Sequence, residues 1–404
     1  MSAGKPIVSP SFKYETLEEK LDIKRKGAPL TIGIPRENAF HEKRIALIPE
    51  AVGVLVNNGH VVVMEHKAGE GSKYSDNDYA EVGATIVYEK QEVFKAPILV
   101  KSAPLSEEDI PYLQLNQTVI SPIHLSILKK SLIEKLMEKR ITALSFEHLK
   151  DDSGTFPIVR SMSEIAGSAA MLIAGQYLGS PNDGKGILLG GISGIPPAKV
   201  IIIGAGVVGE FATRTALALG ASVKVFDNNV YRLKRLQNNL GIRVWTSVIE
   251  PKILAKQLKT CEVAVGALSN DNGRCPVVVT EEMVMAMRPG AVIIDVSIDR
   301  GGCFETSEIT THDKPTIIKH DVIHYCVPNI PSGFARTASQ AISNVLMHLL
   351  LNASDEGGFD EMVWHNFNMR HGIYLYKGAL TNFYISQRFD LKYTDLNLLI
   401  ASRR

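Results

Sequence analysis

Cysteine is scarce in this chain: four in 404 residues, Cys261, Cys275, Cys303 and Cys326. No two of them stand at C-x-x-C spacing, so they read as reduced thiols of a cytosolic protein rather than as a disulfide framework or a thiolate metal centre. An excess of either charge is missing as well, since 44 Lys and Arg face 43 Asp and Glu for a formal net charge of +1. That balance leaves no field to draw in nucleic acid or an acidic membrane surface, and neither is expected as a partner. No apolar stretch approaches the roughly 18 residues that cross a bilayer, because glycines, prolines and charges cut the most apolar region, around Ile201 to Ile203. The first thirty residues have no apolar core of a signal-peptide kind; residues 1–29 read as a short polar extension, and the protein is expected to be soluble and cytoplasmic. Internal repeats, heptads and low-complexity runs are also absent.

What is there begins with length. A chain of 404 residues exceeds what one hydrophobic core usually organises, so two domains are expected. From Leu30 onward, short β-branched runs alternate with longer mixed segments, the pattern of βαβ units on a parallel sheet. Strands are expected at 31–34, 61–64, 85–87, 98–100 and 142–146, with helices at 49–58 and 125–139, the second capped by Ser126. Residues 184–197 are too rich in Gly and Pro to hold either regular element and read as a functional loop. A second α/β unit follows, with strands at 199–203, 222–226, 263–266 and 291–295 and a helix at 207–219. Apolar residues at helical spacing over 339–351 suggest the helix that carries the chain back. The last stretch holds Trp364, Phe367, Tyr374, Tyr376 and Phe383, too aromatic for a disordered tail.

The strongest local signal is Gly204-Ala-Gly206-Val207-Val208-Gly209, a G-x-G-x-x-G directly after an apolar strand, opening a helix and followed eighteen residues later by Asp227. Gly204 permits the tight turn, Gly206 lets the backbone approach a pyrophosphate, and Gly209 lets helix and strand pack closely; the phosphates meet the positive helix N-terminus. An acid at the tip of the second strand accepts from a ribose diol and repels a 2′-phosphate, so NAD is favoured. Arg232 keeps NADP open.

With these residues placed, the chain resembles the alanine dehydrogenase and nicotinamide nucleotide transhydrogenase family over nearly its full length past Leu30. The matching blocks are Gly33-Ile-Pro-Arg-Glu37 with Arg44-Ile-Ala-Leu-Ile-Pro49, Ala68-Gly-Glu-Gly-Ser72, Met162-Ser-Glu-Ile-Ala-Gly167, Ile298-Asp-Arg-Gly-Gly-Cys-Phe-Glu305 and His324-Tyr-Cys-Val-Pro-Asn-Ile-Pro331. The dehydrogenase branch is the nearer one. The resemblance implies an α/β fold of two Rossmann-like domains, with the dinucleotide-binding domain (158–335) inserted into a substrate domain built from 1–157 and 336–404. It also implies a homo-oligomer, a hexamer in that branch.

The resemblance gives roles to scattered residues. Arg44 grips the substrate carboxylate, a task that suits a planar fork of fixed charge. His124 and Asp299 are the catalytic pair, proton carriers for imine hydrolysis, while Asp295 reads as a strand end. Ser163 meets the nicotinamide side of the cofactor, Ala267 and Leu268 edge its adenosine half, and Asn329 reaches both cofactor and substrate. Val207, Val208 and Leu268 read equally well as core. Cys303 and Cys326 lack a neighbouring base and read as packing groups; His312, His320 and His324 have no metal-ligand spacing, and no metal is expected. One departure stands out: where the dehydrogenases carry two lysines two apart, Lys101 keeps the first and Ala103 replaces the second. Lys101 then reads either as a substrate contact reaching in from one step earlier or as an exposed strand-end lysine. The expected activity is NAD-dependent oxidative deamination of L-alanine to pyruvate and ammonia. The alternatives are a dehydrogenase for another amino or opine-type acid and a soluble hydride-transfer module like the transhydrogenase subunit.

Overall fold

The structure, a computed structural model, describes residues 27–38, 41–125, 128–269 and 274–401. The N-terminal extension over residues 1–26 and the proposed Ser126 cap lie outside the described residues.

Short apolar runs ended by Gly, Asn or charged residues form the strands, and their order is that of two doubly wound sheets. In the first half, β1 (Thr31–Ile34), β2 (Val61–Glu65), β3 (Thr85–Val87), β4 (Ile98–Val100), β5 (Thr118–Ser121) and β6 (Thr142–Ser145) pair in parallel in the order β3-β2-β1-β4-β5-β6. The second sheet takes β7 (Lys199–Ile203), β8 (Ser222–Phe226), β9 (Trp245–Ser247), β10 (Val263–Gly266), β11 (Val292–Asp295), β12 (Thr316–Lys319) and β13 (Val322–Tyr325). Their order is β9-β8-β7-β10-β11-β13-β12, with β12 antiparallel at the edge. The chain then comes back: β14 (Ile373–Tyr376) lies antiparallel beside β6, and β15 (Ala379–Leu380) beside β14, so the far end of the sequence completes the first sheet. One lobe is therefore discontinuous in sequence and the other is inserted into it. Each sheet reverses its winding at one point, between β1 and β4 and between β7 and β10, and in such sheets ligands bind outside the carboxyl ends of the strands.

The strands expected at 31–34, 85–87, 98–100, 199–203, 222–226 and 263–266 coincide with the observed ones, and those at 61–64, 142–146 and 291–295 differ by one residue at one end. The helix expected from residue 125 starts at Lys130. β5, β9, β12, β13, β14 and β15 were not anticipated; the four residues of β5, Thr-Val-Ile-Ser, show no alternation and run into Pro122, so their cue is position in the sheet.

Two long helices join the lobes. Pro157–Leu178 begins with proline in its first turn, where the absent N–H has no intrahelical partner to lose. The return helix, Ala335–Asp355, is longer at both ends than the expected 339–351. Pro157–Leu178 buries small residues, Ala166, Gly167, Ala169, Ala170 and Ala174. They let it lie against Val207–Ala218, the helix that opens at the glycine fingerprint. At Gly167 the approach is backbone to backbone: a Cβ there would stand 2.3 Å from the Val208 carbonyl oxygen and 2.9 Å from the Phe211 Cβ. Gly→Ala inside a helix normally stabilises by up to about 1 kcal/mol. Gly167→Ala should instead destabilise by about 1–3 kcal/mol, because overpacking outweighs propensity. Urea unfolding followed by circular dichroism reads the sign, and a raised midpoint would show that the two helices can separate without cost.

Candidate active site

Both sheets place their functional residues just past the carboxyl ends of strands. In the inserted lobe, Gly204 follows β7 with φ +118°, a backbone conformation that L side chains rarely adopt. A Cβ on Gly209 would lie 1.9 Å from the Gly204 carbonyl oxygen, so helix and turn touch. Gly206, by contrast, has nothing within 4 Å of the position a Cβ would take: it borders open space at the N-cap of Val207–Ala218. That space beside free helix N–H groups is what a pyrophosphate requires. Asp227 follows β8, is buried, and accepts from the backbone N–H of Ala205 at 2.7 Å and of Asn229 at 2.7 Å. Each carboxylate oxygen keeps a further lone pair for a ribose hydroxyl. Arg232 lies in the first turn of the next helix, where Asn229 caps its N–H. Ala267 and Leu268 follow β10; the Leu268 carbonyl accepts from Ser297 Oγ at 2.9 Å. Val208 packs partly into the core of this lobe, as one of its two sequence readings had it. These residues fit a dinucleotide.

On the other lobe, Arg44 sits in the loop after β1, Lys101 follows β4, His124 follows β5 and Glu147 follows β6. The Arg44 loop is fixed by serine hydroxyls of the returning chain. Ser332 Oγ accepts from the Lys43 N–H and donates to the His41 carbonyl, while Ser339 and Ser343 accept from the N–H groups of Ile45 and Ile48. Arg44 is buried, 8% exposed, and forms a bidentate pair with Glu42: Nε to Oε1 at 2.8 Å and Nη2 to Oε2 at 2.6 Å. Its Nη1 meets the Met162 thioether at 3.5 Å. Met162 belongs to the long connecting helix, which also carries Ser163, whose hydroxyl donates to the Val159 carbonyl.

Asn329 joins the lobes. It takes a left-handed conformation, φ +54°, just after β13. Its N–H donates to Asp299 Oδ1 at 3.1 Å and its side-chain amide to Glu42 Oε2 at 3.3 Å. His124 Nε2 lies 3.7 Å from Glu147 Oε1, and Glu147 Oε2 accepts from the Ile123 N–H at 3.1 Å. Burial pushes the Asp299 carboxyl above the ordinary aspartate range, against the opposing pull of the Asn329 N–H and of His124, Arg44 and Arg300, whose charges reach it. Arg44, His124 and Asp299, more than 250 residues apart at the extremes, therefore share one electrostatic neighbourhood.

Lys101 is not the exposed strand-end lysine that one sequence reading made it. It is buried, with Nζ 2.9 Å from Glu37 Oε2 and 3.7 Å from Asp109 Oδ2. Glu37 also accepts from the Ser102 N–H, and its charge is felt at Arg44. Ala103 is buried beside it. Asp295 does more than end its strand: fully buried, it accepts from the N–H groups of Ser297, Cys303 and Phe304 and from Ser307 Oγ, which shapes the turn that presents Asp299. Burial raises the Cys326 thiol to about 11 and Cys303 well above its ordinary value, in line with packing roles.

Glu42, Glu147 and Met162 were not singled out from sequence. The available signal for Glu42 was its position two residues before Arg44. Ser339 and Ser343 carried another, as a four-residue polar repeat on an otherwise apolar helix face.

Two doubly wound lobes, with a pyrophosphate cradle on one and a guanidinium and an imidazole on the other, define a pyridine-nucleotide-dependent dehydrogenase. Within that class the chain belongs to the alanine dehydrogenase/PNT family, matching its N-terminal domain over residues 33–166 and its C-terminal domain over residues 170–383. It is 37% identical over 368 residues to alanine dehydrogenase 2 of Staphylococcus aureus strain USA300, covering 91% of this chain and 98% of that one. Among solved structures, an L-alanine dehydrogenase superposes with a TM-score of 0.85 at 32% identity, over 89% of this chain and 99% of the other. A transhydrogenase from Sinorhizobium meliloti shares the fold, with a TM-score of 0.75 at 23% identity over 88% and 99%. No described helix is long and apolar enough to cross a membrane.

Proposed function

We propose that the chain catalyses the reversible NAD-dependent deamination of L-alanine to pyruvate and ammonia, with Arg44, His124 and Asp299 as its working groups. The observation that carries this reading is the convergence of Arg44 and Asp299 through Glu42 and Asn329, with His124 near enough for its charge to reach Asp299, at the strand ends of two lobes, one of which holds the glycine fingerprint. The overall reaction is alanine, water and NAD⁺ to pyruvate, ammonium, NADH and a proton.

Arg44 holds the substrate carboxylate as a charge-assisted pair and fixes the orientation of the Cα–H. Gly204, Gly206, Gly209, Val207 and Val208 would hold the pyrophosphate, Asp227 the ribose, Ala267 and Leu268 the adenosine half, and Ser163 and Asn329 the nicotinamide half. NAD, when bound, supplies the hydride acceptor at its nicotinamide ring. After the ammonium group gives up a proton and Cα its hydride, the substrate is an iminium, and Asp299 removes a proton from the water that adds to it. His124 delivers the proton that lets ammonia leave, with Glu147 beside it to offset imidazolium charge. Lys101 acts here by neutralising Glu37 near the fork of Arg44, which leaves the guanidinium as the cation facing the substrate.

The same reading takes 158–335 as the nucleotide lobe, between the starts of the two long connecting helices, and 336–404 as the return to the substrate lobe. It also takes the protein to be cytoplasmic and a homo-oligomer; Leu188, Ile192 and Ile195 stand 59–67% exposed on the ordered 184–197 loop, apolar surface suited to a subunit contact. A second reading is raised by Ala103, which stands in place of the second lysine: a dehydrogenase for another amino or opine-type acid, or a module that passes hydride to a partner.

A panel of L-amino acids, followed by NADH absorbance, separates these. Reduction of NAD by alanine in clear preference is the expected result; preference for a larger acid moves the assignment to that substrate, and no reduction with any of them favours the transfer module. The raised Asp299 carboxyl sets a pH dependence. Its ionised form is the base, so kcat/KM for deamination should fall as pH drops, through an apparent pKa above the roughly 4 of a solvated aspartate. Asp299→Asn should lower the rate by about 100-fold or more and remove that acid limb; an unchanged limb would assign it to another group.

A further inference from the structure

The fork of Arg44 has two edges that can bind a carboxylate, Nε/Nη2 and Nη1/Nη2, and Glu42 holds the first. Glu42 is as buried as its partner, and its two oxygens accept from four donors: the Arg44 N–H at 2.9 Å, Nε at 2.8 Å, Nη2 at 2.6 Å and the Asn329 side-chain amide at 3.3 Å. The second edge is differently placed. Nη1 has the Met162 thioether at 3.5 Å, a weak acceptor, so a buried cationic edge keeps donor capacity for a stronger partner. Glu42 also spans the lobes, since Arg44 follows β1 and Asn329 follows β13.

We propose that Glu42 is a positioning residue for the reaction. It clamps the inner edge of Arg44 and the amide of Asn329, and thereby aims the Nη1/Nη2 edge at the substrate carboxylate while tying that edge to the nucleotide lobe. This rests on the reading of Arg44 as the group that holds the substrate. The chemistry is that of an ordered ion pair: a carboxylate closed on one edge of a guanidinium removes the rotation that would otherwise be lost on binding. A buried arginine without that carboxylate would also be left with unpaired donors.

The test is steady-state kinetics of Glu42→Gln, Arg44→Gln and the double variant with L-alanine and NAD, beside fluorescence titration of NADH. Glu42→Gln keeps the shape and loses the charge. It should raise the KM for alanine by about tenfold or more with a smaller change in kcat, and leave NADH affinity within about twofold. In the Arg44→Gln background the same change should add little, because the two residues act as one unit. Glu42→Asp, which keeps the charge but is one methylene short of the bidentate reach, should fall between; it carries the test if Glu42→Gln no longer binds NADH. An unchanged or lowered KM in Glu42→Gln, with Arg44→Gln still impaired, overturns the proposal for Glu42 alone; a lowered KM would make Glu42 a competitor for the fork. An unchanged KM in Arg44→Gln removes the reading of Arg44 on which the proposal stands.

Discussion

A guanidinium buried to 8% exposure is the constraint around which this site is arranged. Removing a charge from water is affordable only with a paired charge and satisfied hydrogen bonds. Arg44 meets that condition through Glu42, whose carboxylate in turn recruits Asn329 from the other lobe, whose backbone N–H steadies Asp299. Each link answers a need created by the one before it. The outcome is a cation whose charge reaches a carboxyl group that burial has made more basic.

The fold supplies the distances. Parallel strands present loops at one edge, and two sheets of the same winding, with one lobe inserted in the other, can set two such edges face to face. The inserted lobe is held by two helices that start at Pro157 and Ala335, and the small buried residues of the first permit close contact with the helix of the glycine fingerprint. The helix of the fingerprint thus packs, backbone to backbone, on the helix that carries Met162 against Arg44. Serines of the returning helix secure the Arg44 loop from behind. The chain's last third therefore matters to a loop near its beginning.

Much of this was legible in the residues. The period of the β-branched runs located six strands to the residue, and the glycine fingerprint with Asp227 located the nucleotide edge, because those signals are local. Resemblance supplied Arg44, His124 and Asp299, which spacing alone does not connect. What stayed hidden depends on partners distant in sequence. β5 is a strand because β4 and β6 flank it. Lys101 is buried in an ion pair because Glu37 and Asp109 converge on it, and neither partner was legible from the residues beside it. Asp295 looked like a strand terminus and is the acceptor that shapes the Asp299 turn, since its four donors lie two to twelve residues further on in a loop with no periodicity. Glu42 was overlooked because a glutamate beside an arginine in a polar loop is ordinarily solvated.

The central claim is that hydride leaves the α-carbon of a substrate gripped by Arg44 and passes directly to the nucleotide across the gap between the lobes. L-alanine deuterated at Cα, turned over with NAD and followed by mass spectrometry of the reduced cofactor, addresses it without any substitution in the protein. Transfer of the deuterium into the nicotinamide ring, one atom per pyruvate formed, is the result this account requires; unlabelled NADH with the deuterium released to water would contradict it.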